Sequence, residues 1–338
     1  MKITVFGSGA WGTAVAMVLR DNGHDVTLWS KFEEEAEILL STRENPLLKG
    51  VTIPGDIRIT ADTEIAAKEA KYAVIAVPSF AVRETLQSIC GKLVEDCVSI
   101  CISKGIEKDT SCLFTEIIKE ELGEAVKIAS VSGPTHAEEV ALRIPSACVA
   151  ASEDIEVARQ VQELLMNEYF RVYTSTDVVG VELGAALKNV IALSAGICDG
   201  LGFGDNTIAM LMTRGLAEMA GLCVAMGGHK ETLAGLAGLG DLIVTCGSRH
   251  SRNRRAGVLI GKGLSADEAM REVGAVVEGY YAAKAARELS EKMGVSMPIC
   301  LEAYNVLYDG KNPLAAIEDL MSRSGKSERA TGEEDWVS

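Results

Sequence analysis

Three groups of residues in this chain have types and spacings that can do chemistry. The first is Gly7-Ser8-Gly9-Ala10-Trp11-Gly12, a G-x-G-x-x-G run. It follows a β-branched and aromatic stretch at 2–6 and precedes small, apolar residues at 13–20 with no helix breaker. Between a strand and a helix, such glycines let the backbone turn sharply and approach a pyrophosphate. The helix then aims its free N–H groups at that charge. Dinucleotide binding at Gly7, Gly9 and Gly12 is the expectation, against a turn that only packs strand on helix. The second is Lys188, in the middle of an almost wholly apolar segment at 178–198. Either it snorkels from the helix edge or it faces a polar cleft. In a desolvated cleft its pKa falls, which suits proton transfer near neutral pH. The third is the basic island Arg249 to Arg255 in an acidic chain. It follows the turn Gly238-Leu239-Gly240-Asp241, taken as a loop, and is expected to open a helix. Guanidinium groups beside helix N–H donors make a phosphate site.

Three further positions carry expectations. Lys104 lies just past a strand end, beside Gly105, where a doubly wound sheet has its ligand crevice. Ser30 and Lys31 end the second strand, where an NAD site usually carries an acid. With no acid there to repel a 2′-phosphate and Lys31 to attract one, acceptance of NADP(H) is expected. His136, in the turn at 132–137, is a candidate acid or base, weighed against an ordinary structural histidine.

The elements that must position these residues alternate to about residue 175. Strands are expected near 2–6, 24–29, 57–60, 72–77, 98–102, 126–131, 146–150 and 171–174, with helices between them. The continuous apolar run at 72–77 suits a strand buried on both faces of a parallel sheet. After 178 the pattern is helical throughout, with Ser265 as an N-cap and Pro298 and Pro313 marking helix starts. The expected architecture is α/β, an N-terminal Rossmann-like doubly wound sheet plus an all-helical C-terminal domain. Its divisions are a dinucleotide-binding domain at 1–177, a helical substrate and catalytic domain at 178–321, and a mobile polar tail at 322–338.

The composition narrows the partners. In 338 residues, 48% are hydrophobic and the formal net charge is −15. Such an acidic chain is a poor match for nucleic acid or anionic membranes, and any phosphate site must gather its basic residues locally. No apolar run is expected to reach the ~18 residues of a membrane span, and no secretory signal is visible. The nine cysteines include no C-x-x-C pair. They read as reduced thiols of a cytoplasmic protein, with Cys97 and Cys101 packing rather than binding metal.

The chain resembles the bacterial-type NAD(P)-dependent glycerol-3-phosphate dehydrogenases from residue 1 to about 320. The motifs that carry the likeness are GSGAWG at 7–12, ISKG at 102–105, SGPTHAEEV at 132–140 and VVEGYYAA at 276–283. Longer ones are ELGAALKNVIALSAGICDGLGFGDNT at 182–207 and AGLAGLGDLIVTCGSRHSRNRRAG at 234–257. The resemblance implies reduction of dihydroxyacetone phosphate to sn-glycerol 3-phosphate for phospholipid synthesis, with NADPH or NADH, by a homodimer. It implies Lys188 as the proton-transfer residue. Lys104, Gly133, Thr135, Lys188, Asp241, Ser251, Arg252 and Asn253 match substrate positions. Ala10, Trp11, Lys31, Lys104, Ala137, Arg252, Val276 and Glu278 match cofactor positions. No metal is implied, and His136 matches no catalytic position. Ala10 stands where many members have serine, and Tyr280 and Tyr281 follow the Val-Val-Glu-Gly motif.

Overall fold

Residues Lys2–Phe6 form strand β1, buried after its first residue. Ile3 and Val5 pack in a cluster with Val15, Val18 and Leu19, while Phe6 packs in a second cluster with Trp29, Ala73 and Ile75. That alternation marks a strand covered on both faces. The computed structural model describes residues 1–325, 327 and 328; most of the expected tail at 322–338 lies outside the described residues. Seven more strands complete one sheet: β2 (Asp25–Trp29), β3 (Arg58–Thr60), β4 (Tyr72–Ile75), β5 (Val98–Cys101), β6 (Lys127–Ser132), β7 (Ser146–Ala151) and β8 (Phe170–Ser175). Helices α1 (Ala10–Asp21), α2 (Glu33–Thr42), α3 (Thr63–Ala67), α4 (Val82–Ile89), α5 (Phe114–Leu122), α6 (Ala137–Ala141) and α7 (Ile155–Leu165) connect them.

The strand order is β3-β2-β1-β4-β5-β6-β7-β8. The chain runs outward from β1 to β3 and returns on the other side at β4. The order therefore reverses beside β1, the switch point where open α/β sheets bind ligands. All four residues of β4 are buried, as its unbroken apolar run required. Cys97 and Cys101 lie in the apolar cluster with Phe114 and Ile117. One pairing departs from the parallel pattern: β6 and β7 are antiparallel, with Val131 opposite Ala150. The link from Ser132 to Ser146 carries the five-residue helix α6.

Beyond β8 the chain is helical: α8 (Val178–Gly200), α9 (Asp205–Ala225), α10 (Lys230–Leu233), α11 (Asp241–Gly247), α12 (Arg252–Gly261), α13 (Ala266–Val273), α14 (Glu278–Met293), α15 (Pro298–Tyr308) and α16 (Pro313–Met321). Ser265 caps α13 in a reciprocal box with Glu268, and Pro298 and Pro313 sit in the first turns of their helices. Glu218, buried on α9, accepts the backbone N–H groups of Ile299 (2.8 Å) and Cys300 (3.2 Å) at the start of α15. Burial pushes its carboxyl up to about 7.

Two expectations change in this region. The segment Gly238 to Asp241 is not a loop: Leu236–Gly240 form a π-helical turn that runs into α11. A Cβ on Gly238 would lie 2.1 Å from the Leu233 carbonyl oxygen, so glycine lets this wide turn press on α10. Also, α8 and α9 are each long and apolar enough to cross a bilayer, contrary to the expectation that no segment is. Helix α8 is almost wholly buried, which is how a helix at the centre of a helical core must be composed.

Helix α8 meets α12 at backbone contact. A Cβ on Gly196 would lie 2.1 Å from the Arg254 carbonyl oxygen, and one on Gly257 would lie 2.0 Å from that of Leu193. Gly200 and Gly261 repeat the arrangement one turn on. The chain thus divides into two compact units, residues 1–103 with 112–178, and residues 104–111 with 179 onward. The short insert is tied into the helical unit by Asp109 to Lys284 (2.8 Å) and Ser111 to Glu288 (2.9 Å).

Candidate active site

In the sheet unit, the glycine turn leaves the carboxyl end of β1. Gly7 has φ +122°, a region that favours glycine, and a Cβ there would lie 2.5 Å from the Ala76 carbonyl oxygen. A Cβ on Gly12 would lie 2.0 Å from the Gly7 carbonyl oxygen. Gly9 occupies the N-cap of α1, whose first residue is Ala10. A Cβ on Gly9 would meet no atom within 4 Å, so the N-terminus of α1 is open to an approaching group. Trp11 donates its indole N–H to the Ile102 carbonyl (3.2 Å) at the end of β5. Asn45, buried at 3% exposure, fastens the turn from behind. Its amide donates to the Ser8 carbonyl (2.8 Å) and to Thr13 Oγ1 (2.7 Å). Gly12→Ala should push α1 off this turn. The expected result is a cofactor KM raised about tenfold or more, from about 1–3 kcal/mol of overpacking. Initial rates against cofactor concentration check it, with the substrate KM as the internal control.

In the helical unit, two lysines meet one aspartate. Lys188 on α8 donates to Asp241 Oδ1 (2.8 Å) and to Thr245 Oγ1 (2.8 Å). Lys104 donates to Asp241 Oδ2 (2.7 Å). Thr245, one turn along α11, donates in turn to the Asp241 carbonyl (2.6 Å). Lys188 and Asp241 are 5% and 2% exposed, so the snorkelling alternative is gone. Burial lowers the Lys188 pKa to about 8, with Asp241 opposing the fall and Lys104 adding to it. Burial pushes the Asp241 carboxyl up, but Lys104 and Lys188 more than offset it, so it stays ionised below the ordinary range. The result is a desolvated cation, held at a fixed point, that can give up a proton near neutral pH.

A second chain of hydrogen bonds runs beside it. Asn253 on α12 donates to Asn189 Oδ1 on α8 (2.9 Å) and accepts from the Gly279 N–H on α14 (2.8 Å). Ser251 caps α12, accepting from the Arg254 N–H (3.2 Å). Of the basic island, Arg254 is paired with Asp199 (2.7 Å), whereas Arg252 is exposed in the first turn of α12. Val276 is half-buried just before α14, and Glu278 is its first residue.

The remaining candidates lie in the sheet unit. Gly133 has φ +155° and packs on β7, where a Cβ would lie 2.8 Å from Cys148 Cα. The Thr135 hydroxyl donates to the Gly133 carbonyl (3.1 Å). His136 is the N-cap residue of α6, and Ala137 its first, buried residue. Lys31 is exposed and paired with Glu84 (2.6 Å). Sequence reasoning missed Thr245, Asn45 and the partnership of Asn189 with Asn253. Only Thr245 had a local signal, its place four residues after Asp241 on a helix.

Comparison with known proteins covers both units. Residues 2–158 match the family described as NAD-dependent glycerol-3-phosphate dehydrogenase N-terminus, and residues 177–318 match its C-terminus. The chain is 51% identical over 328 residues to glycerol-3-phosphate dehydrogenase (NAD(P)+) of a Thermoanaerobacter species, across 97% of this chain and 99% of that one. It is 48% identical over 330 residues to the Fusobacterium nucleatum protein of the same name, across 97% and 98%. A crystal structure of glycerol-3-phosphate dehydrogenase from Coxiella burnetii superposes with a TM-score of 0.92 at 36% identity, across 95% of this chain and 99% of that one. With likeness running the length of the sheet unit and on through the helices, the chain belongs to the NAD-dependent glycerol-3-phosphate dehydrogenase family.

Proposed function

We propose that this chain reduces dihydroxyacetone phosphate to sn-glycerol 3-phosphate, reversibly, with NADH or NADPH. Lys188 is the proton donor and acceptor, and the segment around Arg252 is the phosphate anchor. The observation that carries this reading is the buried Lys188 ammonium, held on Asp241 and Thr245 with a pKa lowered to about 8. The glycine turn fits a nicotinamide dinucleotide: Gly7 and Gly12 let the turn close on Ala76 and on itself, and Gly9, with nothing within 4 Å of where its Cβ would lie, leaves the N-terminus of α1 open to a pyrophosphate. Gly7, Gly9, Ala10, Trp11, Gly12, Lys31 and Ala137 would hold that cofactor on the sheet unit, with Lys104, Arg252, Val276 and Glu278 contributing from the helical one. When bound, it supplies the hydride that goes to the ketone carbon.

The chain's own residues do the rest. An ammonium has three N–H donors. Two of those on Lys188 are used on Asp241 and Thr245, and the third is free to meet the ketone oxygen. As that oxygen gains negative charge, Lys188 Nζ passes it a proton; in the oxidative direction the neutral amine takes the proton back. Lys104 adds positive potential where the oxyanion develops. Asp241 orients both lysines. Arg252 and the leading N–H groups of α12 bind the phosphate, and that remote binding energy positions the reacting carbon. The Asn253 amide is engaged by Asn189 and Gly279, which supports a positioning role for it: it holds the first turn of α12 to α8. Ser251, Gly133 and Thr135 complete the proposed substrate set.

Arg252→Ala should raise the substrate KM about tenfold to a hundredfold, the worth of a hydrogen bond to a charged group, and leave turnover within a few-fold. Steady-state kinetics separates the two. The activity itself is tested by following NADH and NADPH oxidation with dihydroxyacetone phosphate against a panel of unphosphorylated 2- and 3-keto acids. Rapid oxidation with a keto acid and none with dihydroxyacetone phosphate overturns the proposal. The same reading takes the active species as a cytoplasmic homodimer joined through its helices and supplying glycerophospholipid synthesis. The exposed apolar residues Met210 and Val224 on α9 are in keeping with such a joint.

A further inference from the structure

The end of β2 carries no acid in the sequence, yet the fold brings one to it. Helix α2 begins at Glu33 and its first turn holds Glu33, Glu34 and Glu35. Ser30, fully buried, donates its hydroxyl to Glu35 Oε2 at 2.5 Å. A carboxylate is thereby pinned at the strand terminus where dinucleotide sites hold the ribose 2′-hydroxyl. Lys31 has its ammonium on Glu84 and does not offer an unopposed charge.

The surrounding pocket supports the same conclusion. Its volume is about 810 Å³, and its lining includes Lys31, Glu33, Glu34, Glu35, Ile38 and Pro46. That is within the usual size range of a small-molecule site, with an apolar part for a base and a polar part for a sugar. Asn45 is also in its lining, and the same Asn45 amide holds Ser8 in the glycine turn. The pocket is therefore joined to the pyrophosphate loop by one side chain. Its charged wall has three carboxylates against one ammonium. A 2′-phosphate would add close to two negative charges there. The N-terminus of α2 would attract an anion, but its own three glutamates already occupy that first turn.

We propose that Glu35 sets the cofactor preference of this chain, holding the 2′-hydroxyl of NADH and disfavouring the 2′-phosphate of NADPH, so that both are accepted and NADH is preferred. This rests on the dinucleotide-binding reading of the sheet unit and on no particular substrate. The test compares wild type with Glu35→Gln, which keeps the shape and removes the charge, and with Lys31→Ala. Dissociation constants for NAD+ and NADP+ are measured by tryptophan-fluorescence titration, and kcat/KM for NADH and NADPH with dihydroxyacetone phosphate. In wild type, NAD+ should bind more tightly than NADP+. In Glu35→Gln the NADP+/NAD+ affinity ratio should rise about tenfold, the scale of one nearby charge. Lys31→Ala should move it by less. Because each ratio is taken within one variant, partial unfolding cancels. A wild-type preference for NADP+, or a ratio unmoved by Glu35→Gln but collapsed by Lys31→Ala, overturns the proposal. If both cofactors bind with the expected ratios but dihydroxyacetone phosphate is not reduced, the substrate reading fails and this one stands.

Discussion

Lys188→Ala should lower turnover by ~10² or more, the usual worth of a positioned general acid, with a smaller change in cofactor KM. On the proposed mechanism the alanine variant keeps its glycine turn and its phosphate anchor. It loses the group that neutralises the forming alkoxide. The pH dependence gives a second, independent check. With its pKa lowered to about 8 by burial, Lys188 is protonated below that value and neutral above it. Ketone reduction needs the ammonium, so its rate should fall as the pH rises through about 8. Alcohol oxidation needs the free amine, so its rate should rise over the same interval. The variant should lose both limbs. Rapid-mixing measurements in each direction, across that range, read the effect. Near-normal turnover in Lys188→Ala would refute the assignment.

The second large effect is expected at Asp241. Two ammonium groups share its carboxylate inside the protein, at 2.7 and 2.8 Å. Asp241→Asn removes the negative charge and leaves both cations facing each other. Breaking a buried ion pair by removing one partner costs about 3–5 kcal/mol, enough to be read directly by denaturant unfolding. The kinetic signature is separate from the loss of stability. Asp241 raises the Lys188 pKa against the effect of burial. Without it the lysine deprotonates at lower pH, so the fall in the reduction rate should move in the acid direction. A variant that is less stable but keeps the wild-type pH profile would leave Asp241 with a purely structural role.

Local periodicity and turn chemistry made much of this molecule legible. The glycine turn between β1 and α1, the buried strand β4 and the mostly apolar α8 with one lysine all announce themselves over ten to twenty residues. What stayed hidden depends on contacts between distant positions. Nothing near Asn45 signals that its amide closes on Ser8, because loop residues have no period. The direction of β7 is hidden too: parallel and antiparallel strands share one alternation of side chains, and only the pairing with β6 separates them. The inserted segment 104–111 packs with helices that begin seventy residues later, so Lys104 could be assigned to a strand end but not to Asp241. Glu35 was overlooked for a different reason. The acid that reaches the end of β2 comes from the first turn of the helix that follows, not from the strand's own last residues.

The glycine contact between α8 and α12 bears on which substrates can fit. One of these helices carries Lys188 and the other carries Arg252. Their backbones touch at Gly196, Gly200, Gly257 and Gly261, so a larger residue at any of these would part the helices and, on the proposed mechanism, the proton donor from the phosphate anchor. On that mechanism the pair is a calliper whose setting the glycines fix. Selectivity for substrate length would then be tuned from the frame of the protein as well as from the residues that touch the substrate.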